Sequence, residues 1–551
     1  MAFGFGLLGN ILMINNTLYT KCIEFRLYFE KVFGYLQITF IQIMQRPVRL
    51  RFAPSPTGPL HIGGIRTALY NYLFAKQHGG TFILRVEDTD QGRYVEGAEA
   101  YIIDCLKWVG LLPDEGPGFG GNFGPYRQSE RKEIYRKHAQ QLIDTGKAYY
   151  AFDTEVALNE LRASNGGNQK YDFNTRLHMQ NSLTLSEDKC KELLATHTPY
   201  VIRLKVPANQ DVLIQDLVRG SVRFHTVDLD DKVLIKSDGM PTYHMANVVD
   251  DYLMQITHVI RGEEWLSSTA HHVLLYQAFG WIDQMPEFAH LPLILKPTGN
   301  GKLSKRDGAQ FGFPVFPIDW KTAEGETYQG FREYGFEPDA LLNFLAFLGW
   351  NDGTDKEIFS LDEMIQAFSI DKIVKSGARF DFEKGKWFNQ QYLHRQSSEA
   401  CIERVLQDYQ NHQMEISKEA AISICNMYKD RVHFFKDYFA LSIAFFKDVL
   451  VYDSQYLGTK LKPESSEILI KVREFLESQE IWNAELIENG LKEFIKNQQI
   501  KAGELFPLMR VCMTGIPTGP DVFKMIAFQG KTRLLQKINL FIKHISINQN
   551  I

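Results

Sequence analysis

Two short segments combine residue types suited to handling a polyphosphate. The first, Pro54-Ser55-Pro56-Thr57-Gly58-Pro59-Leu60-His61-Ile62-Gly63-Gly64, lies between a strand-like and a helix-like stretch. In an open α/β sheet a nucleotide binds at such a place, where a loop opens at a strand's carboxyl end and a helix N-terminus faces it. His61 can donate a hydrogen bond to a phosphate oxygen. Gly63 and Gly64, lacking Cβ atoms, let an adenine or ribose approach the backbone closely. The second segment, Lys302-Leu303-Ser304-Lys305-Arg306-Asp307-Gly308, sits in the glycine-flanked loop TGNGKLSKRDGAQ. Its two lysines, with Ser304 between them, supply positive charge of the kind needed where negative charge builds on a departing pyrophosphate. Taken singly, each segment is more simply read as a surface turn or a solvated basic loop.

The elements that must position these residues follow from local pattern. Val48 to Ala53 alternates apolar and basic residues and ends at Pro54, which predicts a strand running into a turn. Ile65, Leu69, Tyr72 and Leu73 fall at helical spacing, and His78-Gly79-Gly80 stops that helix. TFILRVEDTD predicts a buried strand with acids at its end. The sum is a βαβ unit, the building block of a doubly wound, Rossmann-type α/β sheet. From about Arg131 to Val227 the mixed pattern reads as an inserted α/β subdomain interrupting the sheet. LIKSDGMPTYHMANVVDD and ITHVIRGEEW return to strand-like and loop-like patterns, and beyond Phe316 the chain turns mainly helical.

A chain of 551 residues is too long for one hydrophobic core, so several domains are expected. With 44% hydrophobic and 23% charged residues it fits none of the disordered, collagenous or disulfide-scaffold classes. A formal net charge of -5 gives no global basic signal, and any nucleic-acid contact must rest on local patches. One such patch runs from Lys501 to Ile551, with seven Lys or Arg against two Asp or Glu. The six cysteines (Cys22, Cys105, Cys190, Cys401, Cys425 and Cys512) form no CxxC pair, which implies free thiols in a reducing compartment. Residues 1–43 are apolar and aromatic, with no charge before Lys21. They lack the basic opening of a secretory leader, and Glu24, Glu30 and the single Arg26 do not suit a mitochondrial presequence. No run in them approaches the ~18 uninterrupted apolar residues of a membrane span. The expectation is that translation begins at Met44, the upstream stretch being a start-site artefact or a dispensable extension.

The two motifs change meaning when taken together. A HIGH-like loop after the first strand and a KMSKS-like loop some 240 residues later are the paired mark of class I aminoacyl-tRNA synthetases. RFAPSPTGPLHIGG, RTALYNYLFAKQHGGTFILRVEDTD, DGMPTYHMANVVDD, VIRGEEW and KLSKRDGA occur in one order and resemble the glutamyl branch of that class. The resemblance covers nearly everything from Arg46 onward, more loosely after about Phe380, and Gly64 in place of the class histidine is shared by glutamyl enzymes.

This resemblance implies an ATP-dependent ligase that joins L-glutamate to tRNA(Glu), with tRNA(Gln) left open as a second acceptor. Arg51 and Arg261 match the family's glutamate-binding arginines, and arginine suits a side-chain carboxylate through bidentate, charge-assisted bonds. Tyr243 contributes a hydroxyl, and Ser55 and Glu87 match positions that hold the α-amino group. Pro54, His61, Gly63, Gly64, Lys302, Ser304 and Lys305 match the ATP site, with His61, Lys302 and Lys305 as the catalytic set and Lys305 stabilising the transition state. Outside this context Glu87 would read as a cap or surface acid and Arg261 as part of a structural ion pair. Trp265 resembles a position near the nucleotide but suits a core equally. Mg²⁺ is expected with ATP. The cysteine-bearing AYxCFC pattern of some relatives is replaced here by Ala148-Tyr149-Tyr150-Ala151-Phe152-Asp153, so no zinc is expected.

The implied division is an N-terminal extension over 1–45, then a Rossmann catalytic domain in two parts, 46–130 and 231–316. The insertion at 131–230 would bind the tRNA acceptor end. A helical stem-contact domain at 317–380 and a helical anticodon-binding region at 381–551 complete the chain. A cytoplasmic monomer without membrane attachment is the usual state of relatives, with a bacterial source before an organellar one. The glutaminyl enzyme is disfavoured because its first motif resembles PEPNGYLHIGH rather than PSPTGPLHIGG. A truncated, base-modifying relative is disfavoured because some 170 residues follow Phe380. A non-catalytic tRNA-binding paralogue would have lost a motif that this chain keeps. Lys384, Lys386, Trp387 and Arg395 could meet RNA, although a solvated helix face is the simpler reading of each.

Overall fold

A computed structural model describes residues 46–167, 169–322, 324–449 and 451–548, and the expectation for residues 1–43 lies outside them. The chain forms two interleaved units, each gathered from separate stretches. One comprises the segment up to Ala53, Phe74–Thr89 and Pro113–His290, and the other comprises Pro54–Leu73, Asp90–Leu112 and everything from Leu291 onward.

In the first unit, strands Arg49–Phe52 and Thr81–Leu84 pair in parallel, Arg49 opposite Thr81 and Phe52 opposite Leu84. Further parallel bridges join Ile83 to Glu115 and Val86 to Arg127. Thr81–Leu84 is an apolar run, as a buried parallel strand is expected to be, whereas Arg49–Phe52 alternates buried arginines with Leu50 and Phe52. A four-stranded sheet runs in the order Gly220–His225, Asp211–Asp216, Glu287–Leu291, His258–Gly262. The antiparallel hairpin 211–225 thus belongs to the same sheet as the strand bearing Arg261, with Asp216 opposite Phe288 in parallel register. A separate antiparallel sheet joins Ala148–Ala151, Val201–Leu204 and Val233–Ile235. Within that sheet Tyr149 is buried and donates to the Asp231 carboxylate at 2.6 Å. Helices Lys132–Asp144, Tyr243–Leu253 and Leu266–Phe279 cover these sheets through a shared core that includes Tyr135, Val248 and Leu274.

In the second unit, the helix Ile62–Gln77 is tied down at its N-terminal part. Ile62 N–H donates to the Val315 carbonyl at 3.0 Å, and Tyr70 Oη donates to the Ala346 carbonyl at 2.8 Å. Helices Pro338–Ala346 and Phe382–Arg395 pack together, and Asn389 accepts from the Glu337 amide at 2.7 Å. The helices from Ser398 onward surround one core containing Tyr409, Leu469, Leu491, Val511 and Ile538. The helix Ala484–Asn497 illustrates why: Ile487, Leu491 and Ile495 recur at helical spacing and are buried, while the Asn483 side chain caps the Leu486 amide. Each such buried aliphatic side chain contributes ~1.5–3 kcal/mol. No helix among the described residues is long and apolar enough to cross a membrane.

Candidate active site

Arg51 points from a buried strand and pairs with Asp251 through two bonds, Nε to Oδ1 at 3.0 Å and Nη2 to Oδ2 at 3.3 Å. The same carboxylate accepts from Arg85 Nη1 at 2.6 Å, and Arg85 Nη2 continues to Glu87 Oε1 at 3.0 Å. Glu87 Oε1 also accepts from Asn247 Nδ2 at 3.3 Å. A ladder of alternating charge therefore joins Arg51, Asp251, Arg85 and Glu87. Burial pushes the Asp251 carboxyl up, but Arg51 and Arg85 outweigh it and hold the group below its ordinary range. Burial likewise opposes the Arg85 charge, and Asp251, Glu87 and Asp250 overcome it.

The helix Tyr243–Leu253 supplies one wall of this cluster. Asn247, Asp250 and Asp251 follow Tyr243 at four, seven and eight positions, which puts them on one side of the helix. Asp250 is satisfied separately by Arg131 Nε, Gln128 Nε2 and Tyr135 Oη, all within 2.9 Å. The sequence reading missed Arg85, Asn247 and Asp251. The signal for the last two was the run of polar residues recurring at helical spacing in TYHMANVVDD, where an otherwise apolar face was due.

Arg261 is the penultimate residue of the strand His258–Gly262 and is 6% exposed. Among the described residues its hydrogen-bond partners are Tyr243 Oη at 2.6 Å, Thr269 Oγ1 at 2.8 Å, His290 Nε2 at 3.1 Å and the Trp265 carbonyl at 3.4 Å. All four groups are neutral, since burial holds the His290 imidazole below its ordinary pKa. Burial lowers the Arg261 pKa and Arg51 adds repulsion, outweighing the opposite pull of Tyr243, Asp251 and Glu87. The Tyr243 hydroxyl, also buried, is pushed up to about 12. Trp265 is not core: it is 41% exposed, its ring 4.4 Å from that of Tyr243. Four expected residues, Arg51, Glu87, Tyr243 and Arg261, are thus brought into one electrostatic neighbourhood of the first unit.

Pro54, Ser55, His61, Gly63, Gly64, Lys302, Ser304 and Lys305 all fall in the second unit. Ser55 is exposed in its loop. His61 precedes the helix, and its Nδ1 accepts from the Gly63 amide at 3.0 Å, which caps the helix and leaves the ring proton on Nε2. An Nε2–H donor is what a phosphate oxygen requires. A Cβ built at Gly63 would meet only His61 Nδ1, at 3.4 Å, so the protein's own packing does not demand glycine there.

The second motif begins at Lys302, which bridges Leu295, and ends in the short helix Lys305–Phe311. Asp307 accepts from the Ser304 amide at 2.7 Å and hydroxyl at 2.6 Å, and pairs with Lys296 at 2.8 Å. The Lys296 and Ser304 bonds hold its carboxyl down at about 2, keeping it a permanent acceptor for this turn. Packing does demand glycine at Gly308, because a Cβ there would lie 2.8 Å from the Phe313 carbonyl oxygen.

Residues 47–387 match the family of tRNA synthetases class I (E and Q), catalytic domain, and residues 391–542 match an anticodon binding domain. A glutamate–tRNA ligase of Cytophaga hutchinsonii is 48% identical over 511 residues, covering 92% of this chain and 99% of that one. The corresponding protein of Phocaeicola vulgatus is 49% identical over 496 residues, covering 90% and 98%. A crystal structure of a glutamate tRNA ligase from Elizabethkingia meningosepticum, in complex with its amino acid, superposes with a TM-score of 0.83 at 47% identity, over 90% of this chain and 99% of that one. The fold is accordingly that of a class I tRNA synthetase, a Rossmann-like parallel sheet with many helices. Similarity of this depth over nine-tenths of the sequence means that the chain belongs to the glutamate–tRNA ligase family.

Proposed function

We propose that this chain activates L-glutamate with ATP and transfers it to the 3′-terminal adenosine of tRNA(Glu). The observation that carries the amino-acid assignment is Arg261, a buried guanidinium whose described partners are all neutral. A buried cation with no carboxylate in direct contact, steadied only by the more distant Asp251 and Glu87, is costly unless a ligand supplies one, and a side-chain carboxylate does so with matching geometry. Arg51 adds a second positive charge and Tyr243 a hydroxyl donor, while Glu87, anchored by Arg85 and Asn247, offers a carboxylate to the α-ammonium group. Ser55 joins Glu87 in that role.

In the first step the α-carboxylate of glutamate attacks the α-phosphate of ATP, forming glutamyl-adenylate and releasing pyrophosphate. In the second, a ribose hydroxyl of the terminal adenosine attacks the activated carbonyl and AMP leaves. His61 donates Nε2–H to phosphate, Gly63 and Gly64 admit the nucleoside beside Pro54, and Lys302, Ser304 and Lys305 follow the charge that accumulates on pyrophosphate. Mg²⁺ arrives with ATP, whose phosphate charge it neutralises, and no step is assigned to a protein-held ion. The stretch 131–230 takes the acceptor end, 317–380 the stem and 381–551 the anticodon, the last supported by the match of 391–542 to an anticodon binding domain. The enzyme works as a cytoplasmic monomer.

The test is charging of total tRNA with radiolabelled glutamate, ATP and Mg²⁺, beside Lys305→Ala and a glutamine control. Charging with glutamate that falls at least 100-fold in the variant is expected. Absence of charging by the unaltered chain, even with cognate tRNA, would move the non-catalytic paralogue to first place.

A further inference from the structure

Behind Arg261 lies a buried pair that the proposed chemistry does not use. His290 Nδ1 is 2.6 Å from Asp216 Oδ2, and both side chains are fully shielded from solvent. Burial raises the Asp216 carboxyl, yet the His290 bond and backbone amides outweigh it, so the group stays ionised. A carboxylate only accepts, so His290 must carry its proton on Nδ1. Its Nε2 is then an obligate acceptor, and it faces Arg261 Nε at 3.1 Å. The other oxygen of Asp216 accepts from the Val218 and Arg219 amides at 3.0 and 2.8 Å, closing the turn of hairpin 211–225. Arg219 reaches back to the His290 carbonyl at 3.1 Å and pairs with Glu263 at 2.5 Å.

We infer that Asp216 and His290 are positioning residues for glutamate recognition: Asp216 fixes the His290 tautomer, and His290 fixes the Arg261 guanidinium. The inference rests on Arg261 reading the substrate's side-chain carboxylate. With Nε held by His290 and Nη1 by Tyr243, the guanidinium cannot rotate about its long stem, and its orientation is set before substrate arrives. Because one carboxylate serves both the hairpin turn and the imidazole, the tip of hairpin 211–225 and the reading of the amino acid share a single support.

The experiment is steady-state aminoacylation by the full chain with total tRNA, resolving KM for glutamate, KM for ATP and kcat. Asp216→Asn keeps an oxygen for the turn amides but turns an amide N–H toward His290, reversing the tautomer and setting Nε2–H against Arg261 Nε–H. KM for glutamate is expected to rise at least tenfold, with KM for ATP within twofold and the thermal midpoint within a few degrees. Adding His290→Gln to Asp216→Asn restores an oxygen acceptor for Arg261 whatever stands at 216, and should return KM to within threefold of the unaltered enzyme. Should Asp216→Asn fail to fold, His290→Leu against His290→Gln makes the same comparison with the turn intact. A glutamate KM unchanged in Asp216→Asn, or a raised one that His290→Gln does not rescue, overturns the positioning role. Arg261→Lys separates the two levels. A normal glutamate KM in that variant overturns the parent assignment, whereas a raised one with normal Asp216→Asn kinetics overturns the inference alone.

Discussion

Asp251 holds two guanidiniums at once, those of Arg51 and Arg85, at 3.0 and 2.6 Å in a site with almost no solvent. Removing its charge leaves both cations under-compensated. Asp251→Asn should therefore cost about 3 kcal/mol, the scale for breaking a buried pair, read as a lowered midpoint in denaturant. The pH dependence has a definite sign. Asp251 and Asp216 are both held below their ordinary carboxyl range in the folded chain. Their stabilisation is fully present above the unfolded value of about 4 and is lost as pH falls through the folded values. Burial also holds the imidazoles of His244, His258, His271, His272 and His290 below the ordinary histidine range, so thermal midpoints should begin to fall as pH drops through the unfolded histidine value of about 6.5 and steepen below about 4. Asp251→Asn should flatten only that lower part of the limb, and an unchanged slope there would remove Asp251 from the acid sensitivity. Of this ladder the sequence disclosed the ends, Arg51 and Glu87, through the resemblance. Its interior, Arg85 and Asp251, stayed hidden because nothing local marks two acids on a helix as partners of arginines on distant strands.

The helix after the first motif is the element most sharply specified by its own residues. His61 caps it, Gly63 and Gly64 open it, and Arg66 binds the Leu348 carbonyl at 2.6 Å. Gly63→Ala should fold at least as well as the unaltered chain, since alanine gains up to ~1 kcal/mol over glycine in a helix and meets only an ordinary contact. If a nucleoside lies against that backbone, KM for ATP should nevertheless rise at least tenfold while KM for glutamate changes little. An ATP KM within twofold of normal would remove Gly63 from the binding surface. Elements were legible where local periodicity specifies them. The strand expected at Val48–Ala53 is observed at Arg49–Phe52, and the helix built on Ile65, Leu69, Tyr72 and Leu73 runs from Ile62 to Gln77. The hairpin 211–225 was not legible as part of the main sheet. Its link is the pairing of Asp216 with Phe288, a contact between strands far apart in sequence that no local pattern encodes. The closeness of Cys401 and Cys425, whose sulfurs lie 3.3 Å apart as free thiols, was hidden for the same reason.

At the scale of the whole molecule, composition overstates the basic character of the C-terminal segment. Lys537 is 2% exposed and donates to the Ala444 and Met513 carbonyls, and burial brings its pKa down to about 8. Lys531 is spent on the Gln479 carbonyl at 2.7 Å, and in the preceding helical region Lys384 is paired with Glu357 at 2.8 Å. These lysines build the helical domains rather than advertise an RNA surface, so a steep salt dependence of tRNA affinity must come from other cations. Arg261 presents the reverse situation, a charge kept in the interior with no carboxylate among its described hydrogen-bond partners. If it reads the substrate carboxylate as proposed, the ligand-free enzyme carries a destabilisation that the amino acid relieves, a trade of robustness for activity. L-glutamate at a hundred times its dissociation constant should raise the unfolding free energy by ~2.7 kcal/mol, seen as a higher melting temperature. Arg261→Met, with Thr269 Oγ1 already 3.1 Å from His290 Nε2 and able to take over as donor, should melt at or above the unaltered protein, ignore glutamate and charge no tRNA. The purified protein would thus be at its most fragile in buffer that lacks the amino acid, and storage with L-glutamate should lengthen its life where an equal concentration of L-glutamine does not.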